Sequence, residues 1–288
     1  MPIVQVDPTF QTYYEEDDYT DPWTEPEVVV LIHGSACTSS AWFGWVPHLS
    51  RKFRVLRPDL RGFGRSSIPE HPREYDWSLS AYVQDILNLL DALNLKAVHV
   101  VGAKLGGSIG IKFAADHPER TLTLTVASSP ARSQGQGGFD LDNLLSIMEQ
   151  RRAKGLHIGS DEGMFRSRFG SGCSSEMLAW WKEYDTQSNQ DVRMGIAKMV
   201  RGLNLVPLLP RIHAPTLLLT TEGSRLQSLE SMQEYQQLIP NAELQVLPGD
   251  GYFVAVIDPD ECARRTMEFL RRKGPVKEQS EAVRHRNP

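Results

Sequence analysis

Apolar positions along this chain follow two alternating rhythms. Unbroken runs such as Val28-Val29-Val30-Leu31-Ile32 and Ala97-Val98-His99-Val100-Val101 read as strands covered on both faces. Between them lie stretches with helical spacing, for example Leu79, Val83, Ile86, Leu87, Leu90 and Leu93. The pattern predicts an opening hairpin over residues 2–6 and 10–15, then strands at 28–32, 53–57, 97–101, 121–126, 216–220 and 243–247. Helices are predicted over 78–93, 105–116, 229–238 and 258–271. Strands and helices in this alternation build an α/β fold, here a mostly parallel eight-stranded sheet.

The rhythm breaks between residues 131 and 206. Ser133 to Gly138 reads as a Gly- and Gln-rich hinge, and amphipathic helical patterns follow it without a strand. The expectation is a helical lid at 131–206 set into a core of residues 1–130 and 207–272. Phe139, Leu144, Met148, Phe165, Phe169, Trp180 and Trp181 either roof a pocket or pack the lid on the core. The charged segment 273–288 lacks a hydrophobic pattern and is predicted to be disordered.

Composition acts mainly by exclusion. A net charge of −5 and a pI near 5.9 argue against a nucleic-acid partner. The acidic run Glu15 to Asp18 reads as a solvated loop. No apolar run approaches the ~18 residues of a membrane span. The N-terminus lacks the basic and apolar segments of a signal peptide, so the cytoplasm is the default location. Cys37, Cys173 and Cys262 are too scattered for a zinc site or a disulfide framework, so no metal is expected.

The segment Val101-Gly102-Ala103-Lys104-Leu105-Gly106-Gly107 carries the chemistry. It has the frame of a nucleophile elbow, G-x-S-x-G, with a lysine in place of the serine. Three further segments stand in order at predicted strand ends: His33-Gly34, Arg57-Pro58-Asp59-Leu60-Arg61-Gly62-Phe63-Gly64-Arg65-Ser66, and Pro248-Gly249-Asp250-Gly251-Tyr252-Phe253. Together with the elbow they resemble the α/β-hydrolase superfamily, in particular its lid-bearing lactonase and carbon–carbon hydrolase branch, over about residues 1–272.

The resemblance puts Lys104 at the nucleophile position, Ser224 (in Thr221-Glu222-Gly223-Ser224-Arg225) at that of the acid, and Tyr252 at that of the histidine. The other common acid position holds Ser128 and Ser129. All three triad members are thus replaced, which removes the standard serine mechanism. The backbone N–H groups of Ser35 and Leu105 are implied as an oxyanion hole, independent of side-chain identity. His33 is implied as a support of that loop, and Asp250 and Glu222 as residues of the pocket rim.

A lysine ammonium at a helix N-terminus, beneath a lid that expels water, is pushed toward the neutral amine. A carboxylate from Asp250 or Glu222 would instead hold it protonated. As a neutral amine Lys104 is a nucleophile or base toward carbonyl carbon; as a fixed cation it binds an anion or an enolate. Tyr252 could then move protons, with Ser224 orienting it. No G-x-G-x-x-G follows a strand, so a nicotinamide cofactor is rejected and no cofactor is expected. Two functions follow. One is an enzyme acting on a small carbonyl compound: a lactone, ester, ketone or β-diketone. The other is a catalytically silent ligand binder or sensor.

Overall fold

The sheet forms where the apolar runs stand. A computed structural model describes residues 2–133, 141–157 and 162–274. Its strands are β1 (Ile3–Gln5), β2 (Gln11–Asp17), β3 (Val28–Ile32), β4 (Arg54–Pro58), β5 (Val98–Ala103), β6 (Thr121–Ala127), β7 (Thr216–Thr221) and β8 (Ala242–Leu247). They lie in the order β1-β2-β4-β3-β5-β6-β7-β8, antiparallel at β1–β2 and β2–β4 and parallel elsewhere. All five residues of β3 and all six of β5 are buried, because helices cover both faces. Alternate residues feed two cores: Val30, Ile32 and Val100 one, Val29, Leu31 and Val101 the other.

The helices are α1 (Val46–Leu49), α2 (Leu79–Ala92), α3 (Leu105–Asp116), α4 (Leu141–Ala153), α5 (Glu162–Phe169), α6 (Ser175–Thr186), α7 (Gln190–Arg201), α8 (Leu229–Leu238), α9 (Val254–Ile257) and α10 (Pro259–Lys273). Ser78 and Ser228 cap α2 and α8, each accepting a hydrogen bond from the backbone N–H three residues on. The expected helix at 258–271 begins earlier, as α9, and restarts at Pro259, which suits a first turn and cannot continue a preceding one. No helix among the described residues is long and apolar enough to cross a membrane.

One expectation is corrected. Glu15, Glu16 and Asp17 are not a loop but the end of β2, paired antiparallel with β4. Arg54 and Arg57 of β4 explain it: Arg54 Nε donates to Glu16 Oε1 at 2.7 Å, and Arg57 Nε to Asp17 Oδ2 at 2.8 Å. Opposite charges across a ladder let an acidic run extend a strand.

Between β6 and β7 the described residues form helices α4 to α7 and no strand. A single bridge, Arg132 to Asn204, draws the two ends of this insertion together. Helices α5 and α6 bury Phe165, Phe169, Leu178 and Trp181 in the core beside Phe253, whereas α4 packs through Leu145 and Met148 on Met194 of α7. The hinge residues after Ser133, Phe139 and the tail beyond Gly274 lie outside the described residues.

Candidate active site

Residue 104 alone makes the turn between Ala103, the last residue of β5, and Leu105, the first of α3. Its backbone stands at φ 54°, ψ −117°, a conformation that costs a side-chain-bearing residue about 1–3 kcal/mol. The reversal is tight. A Cβ on Gly102 would lie 2.3 Å from the Gly106 carbonyl oxygen, and one on Gly106 would lie 1.9 Å from that of Ile32. Glycine is required at both positions by close backbone contact. The Lys104 stem lies over Gly34, where an added Cβ would be 3.0 Å from Lys104 Cβ.

Lys104 Nζ is 4.7 Å from the centre of the Phe253 ring and 5.9 Å from that of Tyr252. Among the described residues no carboxylate is paired with it. Its side chain is only partly accessible, from the cavity it lines. Burial, assisted by the Arg168 guanidinium, pushes its pKa from 10.5 down to about 7. That drop corresponds to roughly 5 kcal/mol against the charged form. The two aromatic faces favour the cation by about 0.5–2 kcal/mol, so burial prevails.

The cavity over Lys104 has a volume of about 150 Å³. An apolar cavity of roughly this size holds one benzene-sized molecule, so its occupant is small. Leu144 and Met148 of α4 with Ile196 and Val200 of α7 form an apolar wall. Lys104, Tyr252, Arg168 and Arg193 face them. Ser35 and Leu105 also line the space, and among the described residues neither backbone N–H donates a hydrogen bond elsewhere. Among the described residues no cluster of His, Cys, Asp and Glu is arranged to hold a metal ion.

The remaining expected site residues are distributed differently. His33 is buried, with Nδ1 2.8 Å from the Gly34 carbonyl oxygen and Nε2 accepting from Leu60 N–H at 2.9 Å. Both ring nitrogens are occupied, and burial lowers its pKa, so the ring is a neutral strut. Ser224 is buried with its hydroxyl unpartnered and does not line the cavity. It does not orient Tyr252, whose hydroxyl receives a hydrogen bond from the Arg168 side chain. Asp250 is exposed and does not line the cavity; its Oδ1 accepts from Ser171 N–H at 2.9 Å and lies 3.2 Å from Ser171 Oγ, which ties it to the insertion. Trp181 is buried among Phe169 and Phe253, and Trp180 is exposed, stacked on Tyr184; neither reaches the cavity. Glu222 is exposed and does not line it either.

Residues 27–259 match the family model of the alpha/beta hydrolase fold. The chain belongs to the α/β-hydrolase family. The 2-hydroxy-6-oxo-2,4-heptadienoate hydrolase of Pseudomonas putida is 26% identical to it over 264 residues, 84% of this chain and 88% of that protein. The enol-lactonase of Burkholderia xenovorans LB400 has the same fold, with a TM-score of 0.82 at 21% identity, covering 94% of this chain and 100% of the lactonase. An esterase of Exiguobacterium antarcticum matches with a TM-score of 0.80 at 18% identity, covering 93% of this chain and 98% of the esterase.

Three side chains of this α/β-hydrolase site were not anticipated: Arg168 of α5, Asp185 of α6 and Arg193 of α7. All three are buried. Arg168 Nη1 donates to Asp185 Oδ1 at 3.3 Å, and Arg193 Nη1 to Asp185 Oδ2 at 2.5 Å. Their signal was present as charge on apolar helix faces. Asp185 continues the buried stripe of Leu178 and Trp181, and Arg168 stands between Phe165 and Phe169.

Proposed function

We propose that this chain is an enzyme acting on a small carbonyl compound (a lactone, ester, ketone or β-diketone), with Lys104 in the role of the serine nucleophile. The neutral amine forms a bond to the carbonyl carbon, and the π pair moves to oxygen between the N–H groups of Ser35 and Leu105. The Tyr252 hydroxyl supplies a proton to that oxygen, and the new ammonium returns one. From a ketone, loss of water then leaves a Schiff base; an ester or lactone would instead expel its alkoxide and leave a stable amide at Lys104, so for those substrates the amine acts as the base. As a general base, the same amine takes a proton from water or from a carbon beside the carbonyl. The insertion acts as the lid that keeps the site dry.

One observation carries this reading: a lysine amine, unpaired among the described residues, stands at the elbow turn and lines a small cavity, where burial favours its neutral form. The family membership and the hydrolase, lactonase and esterase relatives support the carbonyl class. The test is a panel of lactones, esters and diketones given to wild type and Lys104→Ala, with borohydride added during turnover. A substrate adduct at residue 104 and loss of activity in the variant are expected. Full activity in Lys104→Ala overturns the proposal, and ligand binding without turnover on any substrate assigns the chain to the silent binders.

A further inference from the structure

Two guanidiniums and one carboxylate meet beside the Lys104 amine. Arg168 and Arg193 line the cavity with Lys104, no carboxylate among the described residues does, and the one anion behind them, Asp185, is shared between both. One positive charge of the cluster is therefore left over. Arg168 is the member tied to the reacting groups. Its side chain holds the Tyr252 hydroxyl, its carbonyl oxygen accepts from Phe253 N–H at 3.0 Å, and Lys104 Nζ sits over the rings of Tyr252 and Phe253.

We propose that Arg168 is a positioning residue of this site: its unneutralised cation excludes a second positive charge at Lys104 Nζ, and Asp185 sets how strongly it does so. The inference rests on the reading of Lys104 as the reacting amine. Every group facing that amine enters the balance. Cys37 and His33 come from the segment after β3, Arg168 from α5, Asp185 from α6, Arg193 from α7 and Tyr252 from the turn after β8. Burial is the largest influence on Lys104, with the guanidinium of Arg168 next. The three lid helices thus supply both the dry surroundings and the repelling charge. A carboxylate alone in their place would have produced a permanent ammonium.

The experiment is a pH titration of Lys104 reactivity in the full-length protein, by trace acetylation with acetic anhydride and mass spectrometry of the peptide containing residue 104. It needs no turnover, so it succeeds or fails independently of the proposed activity. Wild type is expected to titrate near pH 7. Arg168→Gln should raise the midpoint by about one unit and lower labelling at pH 7 about fivefold. Arg168→Lys, which keeps the charge, should restore the midpoint toward wild type. Asp185→Asn should move it down, since the two guanidiniums lose their counter-ion. Loosening of the fold would hydrate the amine and raise the midpoint in both Arg168→Gln and Asp185→Asn, so opposite shifts separate the charge effect from a structural one. If Asp185→Asn fails to fold, Arg193→Gln should raise the midpoint and Arg193→Lys should bring it back, a charge-dependent return that loosening would not give. An Arg168→Gln midpoint within about 0.3 unit of wild type, equal upward shifts in Arg168→Gln and Asp185→Asn, or no restoration by Arg168→Lys overturns the proposal.

Discussion

Replacing Lys104 by methionine should stabilise the protein, and by an amount that depends on pH in a definite direction. The folded lysine releases its proton at pH about 7, whereas the unfolded one holds it until about 10.5. Between these values the unfolded chain carries one more proton, so wild-type stability rises with pH. Below pH 7 the native state bears the full cost of burying the ammonium, roughly 5 kcal/mol. At pH 7 about 4 kcal/mol of it remains, and at pH 9 about 2. Methionine matches the stem in shape and cannot titrate. The advantage of Lys104→Met over wild type should therefore shrink by about 2 kcal/mol between pH 7 and pH 9. Urea unfolding of both proteins at several pH values measures it, because other titrating groups cancel in the difference. A difference that stays flat across this range would falsify the neutral, buried amine and with it the reactive role of Lys104.

Other outcomes follow from the same geometry. If turnover uses the free amine, kcat/KM should rise about tenfold per pH unit below 7 and level off above it, as a pH–rate profile would show. Lys104→Ser should give no esterase in a nitrophenyl-ester assay, because His33 has both nitrogens engaged and Tyr252 stands where a base would be needed. Gly106→Ala should cost about 3 kcal/mol or more by denaturant unfolding, since the new methyl would sit 1.9 Å from the Ile32 carbonyl oxygen. Trp181→Ala should cost about 3–5 kcal/mol, while Trp180→Ala, 46% exposed, should cost under about 1 kcal/mol.

The sheet was legible because β3 and β5 are buried on both faces and so read as unbroken apolar runs. The elbow was legible from its glycines, whose spacing records how closely strand and helix approach. The acidic end of β2 was misread because the arginines that neutralise it sit some 40 residues further along the chain. Arg168, Asp185 and Arg193 were missed for a related reason. Each belongs to a different helix, and only their packing makes a cluster from what along the chain are single charges on apolar helix faces. Ser224 was placed by analogy with the family's acid position, and its hydroxyl meets nothing.

The fastening between the insertion and the turn after β8 makes the two walls of the cavity unequal. Phe253 N–H on the Arg168 carbonyl oxygen and Ser171 on Asp250 lock that side, and a Cβ on Gly251 would come within 2.5 Å of Phe169 backbone carbon. The opposite wall is α4, whose buried apolar cluster among the described residues is shared with α7 through Leu145, Met148 and Met194, aided by surface ion pairs such as Arg201–Asp142 at 2.6 Å. Such exposed pairs contribute little, so this wall rests mainly on a small apolar seam. The cavity is thus bounded on one side by a segment tied to the turn that carries Tyr252 and Phe253, and on the other by a helix pair held through few buried side chains.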